Sequence, residues 1–158
     1  MDFDFDLLPY RPEDCPGLAR LFHDTVHRVC AADYAPRELD AWATGAVDLA
    51  VWNASFLAHR TLVAWHGGDI IGFGDMDAVG CFDRLYVHTD FQHRGIASAL
   101  ADELEAGCAA PLLSVYASRT AKGFFLRRGY RLIRPNVVVR QGVELENFYL
   151  EKRRPQPL

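Results

Sequence analysis

The chain has 158 residues, 50% of them apolar and 24% charged, with a formal net charge of −4. That length suits one domain able to bury a core without disulfide staples. The acidic balance argues against non-specific binding of nucleic acid or membrane surfaces and favours a neutral or cationic partner.

In chain order, Leu7 to Arg11 reads as a short strand, and Asp14 is placed to cap a helix through Leu18, Leu21, Phe22, Val26 and Val29. Pro36 opens a second helix to Ala43, and a third runs through Val47, Val51, Ala54 and Leu57. Leu62 to His66, the turn Gly67-Gly68 and Ile70 to Met76 form a hairpin, and Ala78-Val79-Gly80 turns the chain into Cys81 to Val87. A helix follows through Ile96, Leu100 and Leu104, stopped at Gly107, with Asp102, Glu103 and Glu105 on its other faces. Leu112 to Ala117 is a strand and Thr120 to Arg128 a helix ended by Gly129. Tyr130 to Ile133, Val137 to Arg140 and Val143 to Leu150 are closing strands, the last two joined by Gln141-Gly142. This order gives an α/β (α+β) fold with a mixed sheet and helices on both faces. One domain is expected over residues 1–152, with a frayed tail at 153–158.

Met1 to Asp6 is acidic and leads into no signal-like apolar stretch, and no segment approaches the ~20 apolar residues of a membrane span. Cys15, Cys30, Cys81 and Cys108 are scattered with no C-x-x-C pair, which fits free thiols in a reducing compartment, so the cytoplasm is expected.

Leu85 to Ala101 carries most of the functional information. A strand, Leu85-Tyr86-Val87, leads through a polar loop to Gln92-His93-Arg94-Gly95-Ile96-Ala97 at a helix start. Amides in the first helical turn have no intrahelical partner and lie at the positive end of the macrodipole, so they suit phosphate. Gly95 lets a pyrophosphate approach the backbone without a Cβ in the way. An ordinary strand-loop-helix connection has the same outline.

These residues resemble the GNAT superfamily of acyl-CoA-dependent N-acyltransferases. Gln92, Gly95 and Ala97 match its Q/R-x-x-G-x-G/A signature, and Ser118 to Tyr130 partly matches N-x-x-A-x-x-F-Y-x-x-x-G-F. The resemblance implies a mostly antiparallel sheet of about seven strands with splayed central strands. It implies acetyl-CoA as cofactor, its pyrophosphate held by the backbone of His93, Arg94, Gly95, Ile96, Ala97 and Ser98. Leu85, Tyr86 and Val87 would pair with the pantetheine arm, an N–H near Val87 would face the thioester carbonyl, and Ala121, Phe124 and Phe125 would wall the pantetheine end. Lys122, Arg127 and Arg128 are candidates for the 3′-phosphate. Phe125 stands where many members carry a proton-donating tyrosine, and Ser118 replaces the asparagine, a contact to the cofactor. Tyr116, Ser118 or a water is left as the acid. Direct transfer to an amine in a ternary complex is expected, because Cys81 lies ~20 Å along an extended strand from Val87. An acyl-CoA-binding sensor is the rival reading, and a plain nucleotide-phosphate binder the third.

On the acceptor side, an attacking amine must lose a proton, and Asp75 and Asp83 are the candidate bases. A three-residue turn at Ala78-Val79-Gly80 would pair residue 77 with 81 and 75 with 83, setting the two carboxylates opposite each other. Either aspartate could instead pair with an arginine, and a register slip would part them. His23 and His27 have metal spacing but no third ligand, so no metal is expected. His88 is a relay candidate or a hydrogen-bonded loop residue. Tyr34, Trp42 and His27 are candidates for a small-molecule amine pocket, the two aromatics doubling as core candidates. No nucleic-acid or membrane partner is expected, and the edge of the final hairpin makes a homodimer possible.

Overall fold

The computed structural model describes residues 3–155. Twelve elements are arranged as β1 (Asp6–Pro9), α1 (Cys15–Val29), α2 (Pro36–Trp42), α3 (Leu49–Ala58), β2 (Arg60–His66), β3 (Asp69–Met76), β4 (Cys81–Val87), α4 (Ile96–Ala106), β5 (Leu112–Ser118), α5 (Arg119–Arg127), β6 (Arg131–Arg140) and β7 (Val143–Arg153). The seven strands form one sheet in the order β1-β2-β3-β4-β5-β7-β6. Every neighbouring pair is antiparallel except β4 with β5.

Two apolar clusters cover the two faces. Leu18, Leu21, Phe22 and Val26 recur at helical spacing on α1 and pack with Leu39, Phe56, Val63 and Phe73. On the other face Ile96, Leu100, Ala101 and Leu104 of α4 pack with Phe125 of α5 and with Ile71, Phe82, Leu113, Val115 and Leu150. Gly72 and Gly74 of β3 set how closely α4 lies on the sheet. A Cβ at Gly72 would meet Ile96 at 3.1 Å, and one at Gly74 would meet Leu104 at 3.2 Å.

Several expectations are corrected. The Asp14 carboxylate accepts from Arg11 N at 3.0 Å and makes no cap on α1. The third helix starts at Leu49, where Asp48 accepts from Ala50 N and Val51 N. Its packed face is Trp52 and Phe56, while Val51 and Leu57 are exposed. The two short strands expected on either side of Pro135 are one strand, β6, which passes through a bulge between Leu132 and Arg134. Arg153 belongs to β7, and Arg154 donates from its backbone to Pro111 O at 2.9 Å, so ordered pairing continues past residue 152; residues 156–158 lie outside the described chain.

Glu105 is the largest departure from the expected polar face of α4, because it is buried. Its carboxylate accepts from Tyr130 Oη at 2.9 Å, Arg128 Nε at 3.2 Å and Lys152 Nζ at 3.3 Å, tying α4 to the end of α5 and to β7. Arg128 is thereby committed to this cluster. Burial and the adjacent carboxylate push the Tyr130 hydroxyl well above the ordinary phenol range, so it stays a neutral donor. Removing one partner from a buried ionic cluster strands the others, at about 3 kcal/mol. A Glu105→Ala chain should lose about that much in urea unfolding, and Glu105→Gln less. A loss under ~0.5 kcal/mol for the alanine variant contradicts the assignment.

Candidate active site

The site begins where a parallel pairing stops. β4 and β5 are joined through Cys81↔Ser114 and Phe82↔Val115 only, although β4 continues to Val87 and β5 to Ser118. On its other side β4 stays paired with β3 through Gly72↔Val87. His88 N donates to Ile71 O at 2.8 Å, so the backbone groups of Tyr86 and His88 face β3. Those of Leu85 and Val87 therefore point toward β5, into the split.

The loop after β4 is folded back on that strand. Gln92 Nε2 donates to Val87 O at 2.6 Å, and Thr25 Oγ1 donates to the same carbonyl at 3.1 Å. The Gln92 side chain thus pins the loop to the strand end. His88 Nδ1 accepts from Asp90 N at 3.0 Å, which makes it a loop anchor. His93 and Gly95 both adopt positive φ, 61° and 83°. The first ladder bond of α4 runs from Ala99 N to Gly95 O at 3.0 Å, so the N–H groups of Ile96, Ala97 and Ser98 precede it. A Cβ at Gly95 would meet no atom within 4 Å, so the approach to these amides is open. The Arg94 guanidinium lies 4.8 Å over Phe3 and 5.6 Å over Phe91.

The split opens into a cavity of about 510 Å³. Its walls are Phe82 to Tyr86 of β4, Val115 to Ser118 of β5, Ala121 and Phe125 of α5, and Tyr34 and Trp42. The β6–β7 hairpin adds Asn136, Val138, Arg140, Leu145 and Asn147, among others. Phe125 is 2% exposed and packs edge-on to Phe82, Phe124 and Tyr130. Phe124 is not part of the wall; it packs beside Phe125 with the Arg128 guanidinium 5.7 Å over its ring. Ser118 caps α5, its Oγ accepting from Ala121 N at 3.1 Å. The Tyr116 ring packs at a tilt against Tyr149, centroids 4.9 Å apart, and its hydroxyl accepts from Arg134 at 3.5 Å. Tyr34 is buried with its hydroxyl spent in two bonds, donating to Glu146 O at 2.7 Å and accepting from Arg119 N at 2.9 Å. Only its ring is offered to the cavity, beside Trp42 at 5.3 Å. His27 does not reach the cavity; its Nε2 bonds Ala43 O at 2.7 Å, joining α1 to the end of α2.

Asp75 and Asp83 come together, though not in the expected register. The ladder runs Asp75↔Arg84 and then Met76↔Phe82, so Asp83 is the extra residue of a bulge. Asp75 is completely buried and accepts from Arg84 Nε at 3.0 Å, Arg84 Nη2 at 2.6 Å and His59 Nδ1 at 2.8 Å. The guanidinium also donates to Ser55 Oγ at 2.8 Å and lies 4.1 Å over Phe56. Asp83 is half-exposed, 3.3 Å from Arg84 Nη2 and 3.8 Å from His59 Nδ1, and it lines the cavity. Burial pushes its carboxyl above the ordinary aspartate range, with Asp75 adding to the rise while Arg84 and His59 oppose it. The donor atoms of His59, Asp75 and Asp83 lie within 4.8 Å of one another, and the cation already seated among them is Arg84. His59 was absent from the expected site. No sequence pattern marks it: His59 lies just before β2, and a bulge between Ala64 and Trp65 shifts the hairpin register on the way to Thr61↔Asp75.

A family model described as an acetyltransferase (GNAT) domain matches residues 30–151. The chain is 30% identical over 148 residues to the uncharacterized N-acetyltransferase YafP of Escherichia coli K12, covering 93% of this chain and 94% of that one. A GCN5-related N-acetyltransferase from Rhodopseudomonas palustris superposes with a TM-score of 0.91 at 33% identity, covering 97% and 98% of the two chains. The PaiA N-acetyltransferase of Thermoplasma acidophilum, solved with coenzyme A, shares the fold at a TM-score of 0.77 and 15% identity over 96% of this chain and all of that one. With the split strands, the glycine-opened helix and these matches in hand, the chain belongs to the GNAT family of acetyltransferases.

Proposed function

We propose that this acetyltransferase moves the acetyl group of acetyl-CoA to an amine of a small molecule or protein, by direct attack in a ternary complex. The observation that carries the reading is the split between β4 and β5, which opens a cavity beside strand amides that β5 leaves unpaired. PaiA is solved with coenzyme A, and yncA of Salmonella typhimurium with acetyl-CoA, which supports the same ligand here.

The residues present fit that ligand. Ile96, Ala97 and Ser98 offer amides at an open helix start, Gly95 leaves the approach free of a side chain, and Leu85 and Val87 offer strand-like pairing along the split. Bound there, acetyl-CoA supplies an acyl group activated as a thioester. Val87 N–H is the donor for the acyl oxygen, where charge builds during transfer. Asp83 takes the proton of the amine: of the two wall carboxylates, Glu146 is bonded to Arg119 Nε at 3.0 Å, while burial has made Asp83 more basic than a free aspartate. Asp75 is locked to Arg84 and His59 and holds them in place. Tyr116 and Ser118 carry hydroxyls on the β5 side of the wall for the departing sulfur, Phe125 having none. The rings of Tyr34 and Trp42 flank the acceptor.

Phe125 gives the sensor reading its one specific support. Release of free thiol from acetyl-CoA, followed with spermidine, an aminoglycoside, amino acids and a peptide N-terminus, separates the two. Turnover with at least one amine is expected, and tight binding without turnover on any of them favours the sensor. Asp83→Asn should lower kcat by about 10²–10⁴-fold and leave CoA affinity unchanged. In the parent, kcat/KM should fall with decreasing pH as the Asp83 carboxyl gains its proton, at a higher pH than a free aspartate would; the variant should lack that limb. Full activity in Asp83→Asn removes Asp83 as the base. Gly95→Val forces a β-branched residue to φ 83° and should displace the neighbouring amides. CoA affinity by calorimetry should weaken at least ~10-fold, about 1.4 kcal/mol, and unchanged affinity contradicts the cradle.

A further inference from the structure

We propose that His59, fixed by Asp75, is a positioning residue that keeps Asp83 ionised at the edge of the acceptor cavity. The inference rests on the reading of Asp83 as the base and adds a residue outside the cavity wall that governs it.

The geometry is specific. His59 sits in the joint between α3 and β2, its side chain 21% exposed, and it is not among the residues lining the cavity. Its Nδ1 lies 2.8 Å from Asp75 Oδ2 and 3.8 Å from Asp83 Oδ2. The first contact is a hydrogen bond and fixes the ring. The second is too long for one, but it is a close charge contact when the ring is protonated.

The charges facing Asp83 are Asp75 from β3, Arg84 beside it on β4, His59 from the α3–β2 joint and Asp77 from the turn before β4. Arg84 is already bidentate on Asp75, so one guanidinium serves two carboxylates. When its ring carries a second proton, His59 supplies the positive charge that Arg84 leaves unmatched. Because Asp75 is completely buried and bonded to both Arg84 and His59, it orients them toward Asp83 without itself reaching the cavity. The bulge matters here: as the extra residue of the ladder, Asp83 is set beside Arg84 within reach of His59 rather than paired across from Asp75.

The discriminating variant is His59→Asn, whose side-chain amide can still donate to Asp75 but cannot carry charge. His59→Gln, with a longer reach, is the second variant should the first fail to fold. With ¹³C-carboxyl-labelled aspartate and no ligand, the Asp83 resonance should titrate at higher pH in the variant, because a cation that favoured the carboxylate is gone. With the panel amine that turns over best, kcat/KM should fall roughly three- to ten-fold on the acid limb, the scale of a partly exposed ion pair, and the deficit should shrink as pH rises. Superimposable Asp83 titrations, or a loss of rate by the same factor at every pH, overturn the proposal and leave His59 a structural residue. If the Asp83 titration shifts while Asp83→Asn keeps full turnover, the base assignment fails and the coupling between His59 and Asp83 stands.

Discussion

The molecule depends on a parallel pairing that is begun and then abandoned. A backbone amide facing a neighbouring strand has to be satisfied by that strand, by water or by a ligand. β4 meets this condition on its β3 side and fails it on its β5 side after Phe82. The two halves of the sheet are held apart by their own packing. β1 to β3 are covered by α1 to α3 on one face and by α4 on the other, while β5 continues into the β7–β6 pair, which folds over the gap. The cavity is therefore a product of topology, and its strand-like lining follows from the pleat.

A second constraint is the full burial of Asp75. A carboxylate with no exposure needs a cation with good geometry, and Arg84 supplies two bonds while Ser55 and the Phe56 ring hold the guanidinium. That pairing brings α3, β3 and β4 to one point. It also leaves Asp83 as the one carboxylate of the cluster that meets the cavity. Burial thus separates two aspartates eight residues apart, one closed inside the cluster and the other open to the cavity.

Much of this was legible in the residues. The turn at Gly67-Gly68, the glycine-opened helix and the final turn at Gln141-Gly142 are written in local backbone chemistry, and all three are where the sequence puts them, each with positive φ at its glycines. Phe125 as a wall without a hydroxyl is what the resemblance to the family motif implies, and it lines the cavity. What was not legible depends on partners distant in the chain. The bulge at Asp83 arises where Asp75 takes Arg84 as its cross-strand neighbour, which no turn length reveals. Glu105 reads as a solvent-facing residue until Arg128, Tyr130 and Lys152 arrive from elements further on. Gln92 is the local exception: it matches a motif position, yet its side chain turns back five residues to Val87 O. His59 has no local pattern and gains its place from both Asp75 and Asp83.

The central claim is that Leu85 and Val87 present unpaired amides to the split and that acetyl-CoA pairs with them. Residue-resolved hydrogen exchange with and without acetyl-CoA tests it most directly. The account predicts an alternating response, with Leu85 and Val87 gaining strong protection while Tyr86 and His88, already bonded toward β3, change little. Equal protection along all four, or none at Leu85 and Val87 at saturating ligand, would contradict it.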